Sequence, residues 1–360
     1  MILLHSRLKR SDLFVPKPKL RSHSAIAGKA KSERKAVKPF QGANGANQRK
    51  GIGHSHAVEE KQAEYEVGTR SQLVLPLPSV SRPKRLEARP FLKWVGGKAG
   101  LLAQFDEFFP AHVERYYEPF LGGGAVFFHL RYRFPRMDAF LRDNNPELIV
   151  TYQAVRDHPK ELMQRLDEHL ERYLPDRKHY YYLVRAQHHL TDIVERAARV
   201  IFLNKTCFNG LWRVNARGEF NVPIGSHKNP SLYERENIET ASCALQGVHL
   251  SIQDFRDTLN ETRSGDFAYV DPPYHPISLT SNFTAYTKGV FGAKEQRELA
   301  AGFADAARRG VRLMLSNSDA PFIHELYHNC RIRMVQARRA INCDGSKRGQ
   351  VNEVVVCAGD

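Results

Sequence analysis

The sequence predicts an α/β fold in which a sheet with parallel strands at its centre is covered by helices. The first observation is that short apolar runs alternate with helix-like segments along residues 89–360. The second is that one apolar run ends in a glycine cluster and another in "DPPY". Because ligands bind at the carboxyl ends of strands in such sheets, these two ends are where we expect function.

The predicted elements follow one another from residue 89. The first strand is "ERYYEPF" (114–120), and a Gly-rich turn then leads into the helix-like "AVFFHLRYR". A second strand is "MDAFLRDNN" (137–145), and residues 146–205 are mostly helical in pattern. Further strands are "DFAYVDPP", "VRLMLSNSD", "IRMVQARRAI" and "EVVVCA". Between the first two of these, residues 293–310 form a predicted helix that ends at a glycine.

Composition excludes several classes of protein. The chain has 360 residues and 42% hydrophobic content, which is enough for one large or two ordinary domains. Its apolar runs are shorter than the roughly 18–20 residues of a membrane span, and the N-terminal one is too short for a signal peptide. Five cysteines, far apart and without a CxxC pair, indicate reduced thiols in a cytoplasmic protein. We therefore expect neither a metal site nor a membrane partner.

The positive charge is concentrated at the N-terminus. Residues 1–90 carry 19 Lys and Arg against 7 Asp and Glu, which accounts for +12 of the net charge of +15. With little apolar periodicity, residues 1–88 are predicted to be a disordered basic extension. Both a basic arm that contacts phosphates and an extension without a role fit this pattern.

The Gly-rich turn predicts a cofactor site. In "EPFLGGGAVF", Phe120-x-Gly122-x-Gly124 joins a strand to a helix and lets a ligand approach the backbone closely. Asp143 follows about 20 residues later at the end of the next strand, where an acid binds the ribose hydroxyls in nucleotide-binding folds. The alternative is a tight strand–helix turn without a ligand. Together the two features favour a cofactor that carries a ribose.

A third element, "FLKWVGGKAGLL" (91–102), contains Trp94 and Lys98. The tryptophan could cover an apolar or cationic ligand surface. The other interpretation, which this segment by itself favours, is a buried tryptophan and a helix start with a solvated lysine.

The "DPPY" tetrad predicts a receptor for an amine. Asp271 stands at a strand end, and Pro272 and Pro273 hold the following backbone rigid. A carboxylate beside a fixed carbonyl can accept both hydrogens of an –NH₂ group. Tyr274 offers a flat face on which a planar ring can stack. The tetrad therefore fits an exocyclic amine on an aromatic ring, or an amide.

Together these segments resemble the Dam-type DNA adenine-N6 methyltransferases, which use S-adenosylmethionine. The resemblance covers essentially all of residues 91–360: "FLKWVGGK" and "EPFLGGGAVFF" resemble the cofactor motifs, "RDNNPELI" the segment with the ribose acid, and "YVDPPYHP" the catalytic motif. "FLNKTCFNGLWRVNARGEFNVPIG" (202–225) resembles the target-recognition segment. The resemblance implies a Rossmann-like S-adenosylmethionine-dependent methyltransferase sheet with helices on both faces, at 89–150 and 236–360. It also implies a mainly helical target-recognition insert with a β-hairpin at 151–235.

The resemblance also implies roles for individual residues. The implied cofactor-binding residues are Trp94, Lys98, Phe120, Gly122, Gly124, Asp143, Asp254 and Asp271. The implied catalytic residues are Asp271, Pro272, Pro273 and Tyr274. The implied DNA-binding residues are Lys93, Asn209, Leu211, Arg213 and Pro223. The implied partner is double-stranded DNA without an obligate protein partner, and the implied target is a flipped adenine in GATC, as in orphan or restriction-modification methylases.

Three other functions fit parts of the pattern. "DPPY" also suits cytosine-N4 methylation, because that base has an equally accessible amine. Glutamine methylation in a protein is a different reaction class in which the side-chain amide is the substrate, and an Asn commonly replaces the Asp there. A catalytically inactive DNA-binding relative would keep the fold. Two loops each have two interpretations. The polar loop at 277–292 is either a mobile cover over the substrate or a plain surface loop. The basic loop at 338–348 either contacts phosphates or is a solvated basic face.

Overall fold

The computed structural model describes residues 86–277, 291–338 and 350–359. Most of the predicted N-terminal extension lies outside these residues, as do most of the loop at 277–292 and most of the basic stretch at 338–348. In the parts of the chain that are described, the helices are too short or too polar to cross a membrane.

Within the described residues, seven strands form one sheet in the order β3-β2-β1-β4-β5-β7-β6. The strands are β1 Arg115–Glu118, β2 Asp138–Asp143, β3 His249–Ile252, β4 Phe267–Val270, β5 Arg312–Ser318, β6 Arg331–Arg338 and β7 Gln350–Ala358. The first five pair in parallel, whereas β7 runs antiparallel to both β5 and β6. The prediction of an α/β sheet with parallel strands at its centre is confirmed.

Helices connect the strands and cover them. They are α1 Leu102–Phe105, α2 Ala125–Arg133, α3 Pro146–Asp157, α4 Pro159–Tyr173, α5 Arg177–Arg185, α6 Ile193–Thr206, α7 Arg235–Leu245, α8 Phe255–Glu261, α9 Ala293–Arg308 and α10 Pro321–Leu326. Side chains fix several of their starts, because Asn145, Asp176, Asp192 and Asp254 each accept a backbone N–H of the first turn. The predicted helix after residue 292 ends before Gly310, whose φ is +84°.

The core lies on both faces of the sheet. Tyr116 packs into one apolar cluster and its neighbour Tyr117 into the other, as the two-residue period of a strand requires. The first cluster continues through α2 and α3 into α4, α5 and α6, while the second contains residues of α8, α9 and α10. Helices therefore cover both faces, as expected.

The segment after α6 is irregular. A short 3₁₀ turn, Phe208–Gly210, contains Asn209 in the left-handed region at φ 55°. Single antiparallel bridges join Cys207 to Ile224 and Val214 to Phe220, so the predicted hairpin is present in its shortest form. Residues 207–224 therefore form a closed loop whose two ends lie side by side.

Candidate active site

The ends of β1 and β4 define the site. These two strands are neighbours in the sheet although far apart in sequence, which makes their junction the point where the strand order reverses. Open α/β sheets bind ligands outside the carboxyl ends of the strands at such a point. The Gly-rich turn follows β1 and "DPPY" follows β4, so the fold brings the two predicted motifs to the same edge.

The turn after β1 requires its glycines. Gly122 has φ +47°, and a Cβ there would lie 2.9 Å from Cδ1 of Trp94. Gly124 has φ +66°, and a Cβ there would lie 2.7 Å from the hydroxyl of Tyr152. A side chain at either position would be strained and would collide with a ring. The turn therefore lies directly against Trp94, one of the predicted cofactor-binding residues.

Asp143, at the end of β2, ties its strand to this turn. Its Oδ2 accepts the backbone N–H of Gly122 at 3.2 Å, and its Oδ1 accepts that of Asn145 at 2.9 Å. Burial raises the pKa of Asp143, and these hydrogen bonds oppose that shift. Each carboxylate oxygen can accept a further hydrogen bond. The predicted ribose acid is thus held in place beside the Gly-rich turn.

Asp271 and Lys98 form an ion pair at the end of β4. Lys98 Nζ lies 2.7 Å from Asp271 Oδ2, and the two side chains are 5% and 20% exposed. Lys98 is therefore buried, and the expectation of a solvated lysine at this helix start is wrong. Burial raises the pKa of Asp271, while the ammonium of Lys98 opposes that shift. Among the described residues, none donates a hydrogen bond to the buried Oδ1 of Asp271.

Tyr274 stands next to this pair. Lys98 Nζ lies 4.9 Å from the centre of its ring, and the Tyr274 hydroxyl donates to Glu353 Oε2 at 2.8 Å. Burial and the neighbouring carboxylates Asp271 and Glu353 raise the pKa of Tyr274 well above its usual value, so the hydroxyl stays protonated. All of the "DPPY" tetrad thus lies at one edge with Lys98.

Glu118 is a buried acid that the sequence analysis missed. It ends β1, is 2% exposed and accepts the hydroxyl of Tyr116 at 2.8 Å. Burial raises its pKa well above the usual range, and the charges of Asp271 and Asp143 add to the effect. The charge at the end of an apolar strand, directly before the Gly-rich turn in "YYEPF", was a signal for it.

Three aromatic rings form an apolar wall beside the turn. Phe120 stacks on Phe255 at 5.5 Å between ring centres, and Phe291 packs against both. Only Phe120 was predicted. Asp254 precedes Phe255, where it caps α8, pairs with Arg256 and accepts from Asn144 Nδ2 at 3.3 Å. Its carboxylate is therefore already engaged with neighbouring protein groups.

The segment at residues 202–225, the predicted target-recognition segment, packs against the same site. Trp212 stacks on Trp94, with ring centres 6.2 Å apart. The buried amide of Asn204 accepts the backbone N–H of Lys93 at 2.8 Å and donates to the Lys93 and Gly210 carbonyls at 2.7 and 3.2 Å. The segment around Lys93 is thereby fixed to the turn at Phe208–Gly210.

The predicted DNA-binding residues lie along this segment. Phe208 N–H donates to the Pro223 carbonyl at 2.9 Å, and Arg213 Nε donates to Asn221 Oδ1 at 2.7 Å. Lys93, Asn209 and Arg213 are exposed, whereas Leu211 is half-buried. The structure brings Lys93, Asn209 and Leu211 to one turn and carries Arg213 on the adjoining hairpin.

Comparison with known proteins identifies the family. The family model for D12 class N6 adenine-specific DNA methyltransferases matches residues 94–341, which is more than half of the chain. The chain belongs to this family. It is an adenine-specific DNA methyltransferase, its cofactor is S-adenosylmethionine and its substrate is DNA.

Curated relatives are similar to this chain over most of its length. Type II methyltransferase M.MjaIII of Methanocaldococcus jannaschii is 40% identical over 277 residues, which cover 73% of this chain and 96% of the relative. Type II methyltransferase M1.LlaDCHI of Lactococcus lactis is 38% identical over 279 residues, covering 76% and 96%. The DNA adenine methylase of Escherichia coli K12 is 34% identical over 270 residues, covering 74% and 94%.

The residues present fit S-adenosylmethionine. The cofactor combines an adenine, a ribose and a cationic amino acid part. The aromatic wall suits the adenine, and Asp143 can accept ribose hydroxyls. The positive charge of the cofactor is matched by the carboxylates of Asp143 and Asp271, which meet only one buried ammonium, that of Lys98, among the described residues.

Proposed function

We propose that this methyltransferase methylates N6 of an adenine that is flipped out of duplex DNA, within GATC. The observation that carries the proposal is Asp271: its carboxylate is held by Lys98 through one oxygen, while the buried Oδ1 has no donor among the described residues. A buried acceptor without a donor carries a free-energy cost that an incoming N–H would remove. The exocyclic amine of adenine is such a donor.

In this proposal the amine is held by two acceptors. Asp271 and the carbonyl of Pro272 each accept one N6 hydrogen, which keeps the nitrogen lone pair out of conjugation with the ring. Bound S-adenosylmethionine supplies a methyl group that is activated by its sulfonium. The residues contribute mainly position and charge, because they hold the nitrogen in line and exclude water.

Tyr274 is the proposed stacking partner of the flipped base. Extrusion of a base costs roughly a few kcal/mol of stacking and pairing. A ring that is already fixed in place returns part of that cost, because little side-chain freedom is lost when the base stacks on it.

The cofactor roles that we propose follow the same geometry. Asp143 binds the ribose, and the turn at Gly122 and Gly124 lets the cofactor approach the backbone. Phe120 lines the adenine side, and Trp94 and Lys98 close the other side. Asp254 is proposed to contact the cofactor adenine, and its existing bonds to Arg256 and Asn144 would hold it in position for that contact.

Residues 151–235 are proposed as the target-recognition insert between the two parts of the catalytic domain. Lys93, Asn209, Leu211, Arg213 and Pro223 would contact the duplex. An exposed arginine can bind guanine with two hydrogen bonds, and an apolar side chain can fill space left by a flipped base. GATC is the target that the resemblance to Dam-type enzymes implies, and the docking of Trp212 on Trp94 supports recognition close to the cofactor.

The test is methyl transfer from labelled S-adenosylmethionine to a short duplex that contains GATC. Duplexes with each base pair of the site changed in turn are assayed in parallel, and the Asp271→Ala variant serves as the blank. We expect label on GATC alone and none with the variant. Label on other adenine sites would reject the specificity. Absence of label from every duplex, with cofactor still bound, would reject the proposed reaction.

A further inference from the structure

We propose that Glu353 is a positioning residue that sets the orientation of the Tyr274 ring for the flipped base. The inference rests on the proposed function, in which Tyr274 stacks on adenine. Glu353 accepts the Tyr274 hydroxyl at 2.8 Å and lies 79 residues away in sequence. It belongs neither to the tetrad nor to the cofactor motifs.

The sheet explains how a distant carboxylate reaches this ring. Because β7 is antiparallel to β5, its first residues lie at the edge where the parallel strands end. Glu353 is opposite Ser318, the last residue of β5, in that pairing. The two strands therefore deliver their polar side chains to the segment that follows β4.

The backbone on both sides of Tyr274 is fixed by buried polar side chains. Gln296 Nε2 donates to the Pro273 carbonyl at 2.8 Å. Asn317 Oδ1 accepts the His275 N–H at 3.1 Å, and Ser318 Oγ donates to the His275 carbonyl at 2.6 Å.

These side chains also support one another. Asn317 Nδ2 donates to Gln296 Oε1 at 3.2 Å, and Gln296, Asn317 and Ser318 are only 1%, 0% and 3% exposed. Such a buried, mutually bonded set leaves the backbone of residues 273–275 little freedom.

What remains free at Tyr274 is rotation about the bonds of its own side chain. The hydrogen bond to Glu353 removes that freedom, because it anchors the far end of the ring to a strand of the sheet. A carboxylate is the stronger type of acceptor for a hydroxyl. A ring fixed at both ends presents one face in one orientation, which is what stacking on an extruded base requires.

The test is a double-mutant cycle on the methyl-transfer step. Single-turnover rates at saturating S-adenosylmethionine and duplex are measured for the wild type, Glu353→Ala, Tyr274→Phe and the double variant. Glu353→Gln is the conservative variant, since its amide oxygen can still accept the hydroxyl. Glu325→Ala, at an exposed position of α10, is the matched control for loss of a carboxylate. Thermal unfolding of each variant checks that it folds.

A second measurement follows the extrusion and stacking of the target base. The target adenine is replaced by 2-aminopurine, whose fluorescence rises when it leaves the helix and falls when it stacks on a ring. We expect the bound complex of Glu353→Ala to be brighter than that of the wild type, because the base stacks less well on a ring that rotates.

In the cycle, we expect Glu353→Ala and Tyr274→Phe each to lower the rate about tenfold, and the double variant to be no slower than either. Glu353→Gln should stay within about threefold of the wild type. Wild-type rates for Glu353→Ala, or losses that multiply in the double variant, would overturn the inference while the proposed function stands. A wild type that transfers no methyl to adenine would overturn both.

Discussion

Lys98 Nζ donates to Asp271 Oδ2 across 2.7 Å, and this ion pair joins two motifs that are 173 residues apart. The lysine belongs to the segment after Trp94 and the aspartate to the end of β4. The pair is largely shielded from water, so the positive charge of Lys98 acts strongly on the Asp271 carboxylate. Lys98 therefore helps to keep Asp271 ionised in a site whose burial favours the neutral form.

Removal of the lysine charge should change the pH profile of the reaction. Burial raises the pKa of Asp271 and Lys98 opposes this, so Lys98→Met should raise that pKa further. An ionised Asp271 accepts the target amine, so the rate should fall as pH drops through its pKa. The acid limb of the single-turnover rate should therefore move to higher pH. The exposed Lys294→Met is the control, and a limb that stays in place for Lys98→Met would contradict the prediction.

The Gly-rich turn offers a matched pair of glycine variants. Gly122→Ala places a Cβ 2.9 Å from Trp94 Cδ1 at a φ of +47°, whereas Gly100 has open space around its Cβ position. We expect Gly122→Ala to weaken S-adenosylmethionine binding at least tenfold, roughly 1.4 kcal/mol. Gly100→Ala should bind like the wild type. Calorimetric titration measures both, and equal affinities would show that the turn does not hold the cofactor.

Asn204 links Lys93 to the turn at Phe208–Gly210. Its loss should therefore lower both the stability of the protein and its affinity for DNA. Asn204→Ala leaves the partly buried backbone N–H and carbonyl of Lys93 and the buried carbonyl of Gly210 without their partner. We expect the free energy of unfolding to fall by about 2–4 kcal/mol and the KM for DNA to rise more than kcat falls.

Asn237 supplies the comparison for that variant. It makes the same two bonds to the backbone of Arg89, but in an exposed setting. Water can replace those bonds, so Asn237→Ala should cost less than about 1 kcal/mol. Urea unfolding of the two variants measures both losses of unfolding free energy. Equal losses would show that the burial of Asn204 does not matter.

His169 should make the stability of the helices around it sensitive to acid. Burial, with Arg165 and Arg172, lowers its pKa to about 4, and its Nδ1 lies 2.9 Å from the Tyr180 hydroxyl. The unfolded chain takes up a proton near pH 6.5, whereas the folded chain does so only near pH 4. The free energy of unfolding should therefore fall by roughly 3 kcal/mol as pH drops across that window.

Two variants separate His169 from the other titrating groups. His169→Gln keeps a hydrogen-bonding side chain but does not titrate, so its unfolding free energy should lose less between pH 7 and pH 4.5 than that of the wild type. His179→Gln, at an exposed position, should behave like the wild type. If His169→Gln and the wild type lose the same free energy over this range, His169 is not the cause.

Many of the strands and helices in residues 89–360 could be predicted because each has a local pattern, whereas α7, α8 and α10 were not predicted. Alternation marked β2, a continuous apolar run marked β4, and a glycine marked the end of α9. The position of β7 between β5 and β6 had no such signal, because it depends on pairing between segments that are distant in the chain. That insertion is what brings Glu353 to the active site.

The same distinction holds for the site. Gly122, Asp143 and Asp271 could be predicted because each stands at a strand end, with a spacing or a neighbour that has a chemical meaning. Gln296 and Asn317 lie inside an ordinary helix and an ordinary strand, and only the fold places them against the Tyr274 segment. The burial of Lys98 likewise depends on the distant carboxylate that receives it.

In the mechanism that we propose, Asp271 directs methyl transfer to the N6 of adenine. The most direct test digests duplex DNA after reaction with the wild type or Asp271→Ala and identifies the methylated nucleoside by mass spectrometry. We expect N6-methyladenine with the wild type and at least a thousandfold less with the variant, roughly 4 kcal/mol of barrier. N4-methylcytosine as the product, or N6-methyladenine at the wild-type level from Asp271→Ala, would contradict it.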